Sequence, residues 1–169
     1  MANPANENVR PPFTAFNFAV EIEVPGVSQN VLCNASFSEC DGLEMTMEVK
    51  TIREGGNNGE QIRLTGPLSY GQLTLKRGMT TTFDLWDWMN ATLVTSSLRA
   101  RKAEVVVFAA DGKTEQARFI LKRCMPVKLK APALNAKDGG IAIEELQLVY
   151  ESLNLKRPSG GAAGGGSNG

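Results

Sequence analysis

The feature that most constrains this fold is a strict alternation of apolar and polar side chains over short segments. In the first segment, the apolar positions are every second residue: Phe16, Phe18, Val20, Ile22 and Val24. Because successive side chains of a strand point to opposite faces, this period predicts a half-buried β-strand, which Pro25-Gly26 ends. Glu21 and Glu23 then lie on its polar face. Similar segments follow along the chain, so a mainly β fold is expected.

A second pair of alternating segments flanks the turn-prone stretch EGGNNG, residues 54–59. Apolar residues occupy every second position on the first limb (Leu43, Met45, Met47, Val49) and again on the return limb (Ile62, Leu64). Glycine and asparagine accept the positive φ of a tight reversal, so a long hairpin is predicted. Gly66-Pro67 is expected to break the chain after it. The hairpin is longer than a core of this size needs, which indicates that it packs on another molecule.

Residues 84–93 predict a single short helix. Thr81, followed by Asp84 three residues later, resembles a capping box for its first turn. The apolar arc of the helix spans roughly 160°, which is wide for a helix that rests on one sheet. Its candidate core or interface residues are Leu85, Trp86, Trp88, Met89 and Leu93.

The rest of the chain adds further strands. Residues 104–110 and 114–124, joined at Asp111-Gly112, predict another hairpin. Pro126 and Pro132 are expected to bound an irregular crossing. In the last strand, the alternation slips by one residue at Glu144-Glu145, which predicts a β-bulge. The predicted organisation is a flexible arm (1–12), one β domain (13–157) and a glycine-rich flexible tail (158–169).

Composition excludes several classes of function. Eighteen basic residues balance eighteen acidic residues, so long-range attraction to nucleic acid or anionic membrane is not expected. The chain contains no histidine, which removes every mechanism based on a histidine base. Cys33, Cys40 and Cys124 form no C-x-x-C pair, so we expect buried free thiols and no metal or cofactor. Met1–Pro12 lacks the pattern of a signal peptide and no 18-residue apolar run occurs, so we expect a chain made and folded in the cytoplasm without a membrane span.

Three groups of residues could suggest catalysis or ligand binding, and each has a simpler interpretation. Lys76-Arg77-Gly78 precedes the helix but lacks the glycines of a phosphate-binding loop, so its charges are expected to face solvent or a neighbour. The glycines of residues 54–59 have no helix after them, so turn formation suffices to explain them. The strand carboxylates could form a glycosidase pair, but a solvated sheet face is the simpler interpretation. These carboxylates are Glu21, Glu23, Glu44 and Glu48.

Six segments occur in an order that resembles the tail tube proteins of contractile phage tails and of phage-tail-like extracellular contractile injection systems. They are FNFAVEI (16–22), FSECDGLEM (37–45), REGGNN (53–58), LSYGQLTLKRGMT (68–80), DLWDWMN (84–90) and IAIEELQLVYESL (141–153). The resemblance covers residues 13–155.

The resemblance implies a β-sandwich or open barrel with one outer helix and a long protruding hairpin. It also implies hexameric rings with a β-lined channel, stacked inside a sheath, with baseplate and terminator or cap proteins at the ends and protein or DNA cargo in the lumen. The hairpin would reach into the adjacent ring, and Glu21 and Glu23 are possible lumen-facing residues. The stacking residues would be Glu44, Met45, Met47, Val49, Arg53, Glu54, Gly55, Gly56, Asn57, Asn58, Ile62 and Leu64.

Other functions stay open at this point. A tube initiator or baseplate adaptor would have the same fold. A monomeric barrel that binds a small ligand would use the apolar strand faces to line a cavity. An enzyme ranks third.

Overall fold

A computed structural model describes residues 12–25, 31–32, 37–53, 55–56, 59–95, 100–137 and 139–158. Most of the predicted N-terminal arm, Cys33, three hairpin-tip residues (Glu54, Asn57, Asn58) and the tail after Pro158 lie outside these ranges. The described ranges contain ten strands and one helix: β1 (Phe18–Glu23), β2 (Val31–Leu32), β3 (Glu39–Asp41), β4 (Met45–Ile52), β5 (Ile62–Tyr70), β6 (Gln72–Gly78), α1 (Asp84–Val94), β7 (Ala100–Phe108), β8 (Glu115–Lys130), β9 (Ile143–Val149) and β10 (Ser152–Lys156).

Eight strands form one antiparallel sheet, in the order β2-β1-β7-β8-β9-β6-β3, with β10 also paired to β8. Strand β8 is the longest, and its partner strands β9 and β10 follow each other in the chain. The sheet is open, because the order starts at β2 and ends at β3. The predicted mainly β fold with one helix is confirmed.

The core is formed by the inward side chains of the sheet and by two residues of α1, Leu85 and Trp88. Strand β1 contributes Val20 and Ile22, while β6, near the other end of the strand order, contributes Leu73 to the same cluster. The sheet therefore curls around one core. Phe16 was expected to share the apolar face of the first strand, but β1 begins at Phe18, and Phe16 is 66% exposed.

Strands β4 and β5 form a separate two-stranded sheet, the arm hairpin (residues 45–70). The expectation that Gly66-Pro67 ends this element is wrong, because β5 continues through both residues to Tyr70. The register shifts between Met47 and Val49, so β5 has one more residue than β4 at that point. Such a β-bulge accommodates proline, which cannot donate a ladder hydrogen bond. Glycine is also required, because a Cβ on Gly66 would lie 2.7 Å from the Glu48 carbonyl oxygen.

Two further expectations about irregular backbone are wrong. Strand β8 does not stop at Pro126 but continues to Lys130, and the register shift lies between Pro126 and Lys128. Strand β9 pairs with β6 without interruption, so no bulge exists at Glu144-Glu145 on that side. Glu144 occupies an inward position of β9, on the same side as Leu146 and Leu148, and it is 2% exposed.

The predicted helix is present, but its start differs from the predicted capping box. Phe83 is the N-cap residue, with φ of 48° and no side-chain cap hydrogen bond. Asp84 is the first helical residue, and its carboxylate accepts a hydrogen bond from the Leu85 amide at 3.0 Å. The carboxylate thus serves the first turn from a position two residues earlier than a capping box requires.

Candidate interaction surfaces

A buried ion cluster joins the helix to the sheet. Arg77 on β6 and Glu144 on β9 are direct cross-strand partners, and Arg77 Nε donates to Glu144 Oε1 at 2.7 Å. The Arg77 guanidinium also pairs with Asp84 at the start of α1. Trp86 Nε1 donates to the other oxygen of Glu144 at 3.1 Å. One guanidinium therefore holds three elements in a fixed arrangement, because its donors have a rigid planar geometry.

The side chains of Arg77 and Glu144 are far more buried than that of Lys76, which precedes Arg77 in the sequence. The side chains of Arg77 and Glu144 are 3% and 2% exposed. Lys76, in contrast, forms an exposed pair with Glu39 at 2.9 Å. The expectation that Lys76 and Arg77 both face solvent or a neighbour is therefore correct for Lys76 and wrong for Arg77. Side chains alternate along β6, so two adjacent basic residues must lie on opposite faces.

The helix has an apolar surface that its own sheet does not cover. Leu85 and Trp88 are buried, and Trp86 and Met89 are half-buried. Leu93 is 79% exposed, at the C-terminal end of α1. The wide apolar arc predicted from sequence therefore divides into a core side and an uncovered end.

The root of the arm hairpin is fixed to the body by Tyr150. Its hydroxyl accepts a hydrogen bond from the Glu44 amide at 3.2 Å and lies 2.9 Å from the Gly42 carbonyl oxygen, to which it can donate. The Tyr70 ring packs against the Tyr150 ring with centroids 5.6 Å apart. Burial is the main cause that raises the pKa of Tyr150. The root is therefore anchored on both strands.

Beyond this root, the arm hairpin is exposed along its length. Every residue of β4 is exposed, and so are all residues of β5 except Gly66 and Tyr70. The exposed large apolar side chains of the arm are Met45, Met47, Val49, Ile52, Ile62, Leu64 and Leu68. The predicted arm residues Arg53, Gly55 and Gly56 are exposed at or next to the turn. This is a large uncovered apolar surface for so thin an element.

The polar face of β1 is part of a mixed-charge surface. Glu21 is exposed, and Glu23 is half-exposed with its carboxylate 3.9 Å from Lys102 Nζ on β7. Lys102 and Arg118 both bind Glu104. Burial raises the pKa of Glu104, but the hydrogen bonds from Lys102 and Arg118 outweigh it and hold the pKa below its usual value. The sequence pattern of β1 indicated an acidic face, whereas the paired strands add basic residues to it.

The described ranges contain no group of acidic, cysteine or histidine side chains arranged to hold a metal ion. Cys40 and Cys124 are free thiols, and burial raises their pKa values to about 11 and about 12. Both thiols therefore stay protonated at neutral pH. Within the same ranges, no helix has the length and apolar character needed to cross a membrane.

Comparison with known proteins gives one matching family and several similar structures. The sequence profile of the family described as T4-like virus tail tube protein gp19 matches residues 14–154. No curated protein matches this chain. A chain of the anti-feeding prophage baseplate superposes with a TM-score of 0.78 and 22% identity, covering 89% of this chain and 99% of that chain. A chain of the sheath-tube complex of the extracellular contractile injection system PVC, in its extended state, gives 0.74 and 17%, covering 93% and 99%.

A more distant similar structure is the tail of an empty GTA particle, with a TM-score of 0.58 and 11% identity, covering 88% of this chain and 100% of that chain. At these identities, the similar structures show a shared fold. The resemblance drawn from the sequence segments is confirmed by the family match.

The ion cluster yields a stability prediction. Arg77→Met keeps most of the side-chain volume but leaves the Glu144 and Asp84 carboxylates without their cation, so we expect a loss of about 3–5 kcal/mol in the free energy of unfolding. Lys76→Met is the matched control, since it removes an exposed ion pair from the adjacent residue and should leave the urea midpoint nearly unchanged. Urea titration by circular dichroism measures both. Equal midpoint shifts would show that the buried cluster has no special role.

Proposed function

Because the chain belongs to the T4-like virus tail tube protein family, we propose that it is the inner-tube subunit of a phage tail or contractile injection particle. Copies would close into hexameric rings, and the rings would stack into a tube. The observation that carries this proposal is the arm hairpin, whose residues remain exposed on both faces in the single chain. An isolated two-stranded hairpin is at best marginally stable in water, so the arm needs cover from neighbouring copies.

The body of the subunit suits assembly better than ligand binding. Apolar side chains from the sheet and Leu85 and Trp88 of α1 form one packed core cluster. This packing favours a structural subunit over the alternative of a ligand-binding barrel. Among the described residues, the short strands β2 and β3 end the strand order of the sheet, and joining subunits edge to edge would extend its backbone pairing.

The other proposed partners follow from the same assignment of the chain to a tube. A sheath would surround the tube, and baseplate and terminator or cap proteins would bind its ends. The chain would be made in the cytoplasm and function within the particle. A second candidate function is a tube initiator or adaptor at the baseplate, which the similarity to a chain of the anti-feeding prophage baseplate favours.

The arm provides the test that separates ring formation from stacking. Replacing residues 53–61 with Asn-Gly closes β4 and β5 through a two-residue turn, so the subunit should keep its circular dichroism spectrum and a cooperative melt. The unchanged chain should form long tubes, and the shortened chain should stop at subunits or single rings, because less of the arm can reach the next ring. Sedimentation velocity and negative-stain microscopy distinguish these species. Tubes of normal length from the shortened chain would contradict a stacking role.

We place Glu21 and Glu23 on the lumen face, where acidic side chains would help an anionic cargo to slide. Glu21→Lys/Glu23→Lys changes exposed or half-exposed positions, so folding should be nearly unaffected. Tubes of the variant should retain single-stranded DNA at low salt and release it as salt screens the charges. Glu39→Lys/Glu151→Lys is the control for a charge change of equal size on exposed residues elsewhere. Equal retention by both variants would contradict the lumen assignment.

A further inference from the structure

The β-bulge at Gly66-Pro67 divides the arm hairpin into two apolar patches on opposite faces. Directly paired residues of an antiparallel ladder lie on the same face, and successive residues alternate between faces. In an uninterrupted β5, Ile62, Leu64 and Leu68 would share one face. The extra residue changes this arrangement, because Leu68 pairs with Met47 whereas Leu64 pairs with Lys50.

The first patch lies near the root of the arm. Its face carries the cross-strand pairs Met45 with Tyr70 and Met47 with Leu68, followed by Val49. Met47 and Leu68 are 51% and 44% exposed. Further along the same face, toward the turn, the residues become polar: Thr51, Arg63 and Thr65.

The second patch lies at the tip, on the other face. It is formed by the cross-strand pair Ile52 with Ile62 and by Leu64. Ile52 and Ile62 are 47% and 44% exposed. Near the root, this face is polar, with Thr46, Glu48 and Ser69. The face of the root patch is therefore apolar near the root and polar toward the turn. The face of the tip patch is polar near the root and apolar toward the turn.

We infer that the arm is held by two different copies of the chain: a neighbour in the same ring covers the root patch, and a copy in the next ring covers the tip patch. This inference rests on the proposed tube function. One flat surface cannot cover patches that face opposite directions. The eight residues from Met45 to Ile52 also span about 23 Å, which puts the tip well beyond the anchored root.

The chemistry of the patches fits a protein occupant. Each patch contains only a few large apolar side chains and shares its face with a charged residue. Lys50 pairs with Leu64 in the tip patch, and Arg63 lies beyond Val49 on the face of the root patch. Small apolar patches with a polar surround are typical of protein interfaces. In a family of tube proteins, the partner present at every position along the assembly is another copy of the chain.

Two matched double substitutions test the inference on the full chain. Met47→Thr/Leu68→Thr removes the cross-strand pair of the root patch, and Ile52→Thr/Ile62→Thr removes the pair of the tip patch. Threonine keeps a high β-propensity, and all four side chains are exposed, so circular dichroism should be unchanged. Thr51→Ser/Arg63→Gln is the control on the polar face at the height of the tip.

The expected results differ between the two variants. The root variant should sediment as single subunits, the tip variant should sediment as single rings, and the control should form tubes like the unchanged chain. Sedimentation velocity and negative-stain images give these species. If both variants stop at the same species, or if the control loses tubes, the two-copy inference is overturned. The tip variant could also form normal tubes that no longer bind sheath. That result would overturn the inference, since the sheath would then be the occupant of the tip patch.

Failure of the proposed function has a separate signature. In that case, the unchanged chain would form neither rings nor tubes at any concentration. Tubes from the unchanged chain together with identical defects in both variants would leave the tube function standing and reject the inference alone.

Discussion

The constraint on which the rest of this structure depends is that an extended pair of strands cannot bury its own side chains. The arm hairpin joins the body only at its root, where the Tyr150 hydroxyl contacts the backbone of residues 42 and 44. Beyond the root, neither face of the pair is covered, although seven large apolar side chains lie there. The energetic benefit of burying them is therefore available only between molecules. Assembly and the conformation of the arm are coupled for this reason.

The body supplies a rigid base for such an arm. The Arg77 guanidinium ties β6, β9 and the start of α1 together, with Trp86 bound to the second oxygen of Glu144. Removing one charge from a buried group of this kind leaves the others uncompensated, so separating these elements would cost free energy. The arm root adjoins this unit, because β6 follows β5 after Gly71.

Sequence patterns predicted what depends on local alternation. The arm hairpin, the hairpin of β7 and β8, and the position of α1 follow from periodicity and turn residues. The bulges did not follow, because a pattern read along one strand does not show the register against its partner. Gly66-Pro67 resembled a chain break for this reason, and a bulge was predicted at Glu144-Glu145, whereas the extra residue lies in β8 near Pro126. As a result, the alternation along each limb did not show that the apolar residues of the arm lie on two faces.

The burial of charged residues is the second feature that the sequence patterns did not predict. Glu144 interrupts an apolar alternation, which predicts a bulge when one strand is considered alone, yet its cross-strand partner Arg77 allows it to be buried. The two residues are 67 positions apart in the chain. Glu104 is a similar case, since its basic partners come from two strands. The sequence contained one usable signal, namely that Lys76-Arg77 and Glu144-Glu145 oppose each other on candidate neighbouring strands.

The most direct test of the coupling between arm and assembly is amide hydrogen exchange of residues 45–70, measured on the assembled protein and on dissociated subunits. Exchange reports local opening, and uncovered hairpins open readily. We expect strong protection of β4 and β5 in the assembly and its loss in free subunits, while the protection of β6, β8 and β9 stays the same. Equal protection of the arm in both states would contradict this coupling, since the arm would then be stable without neighbours.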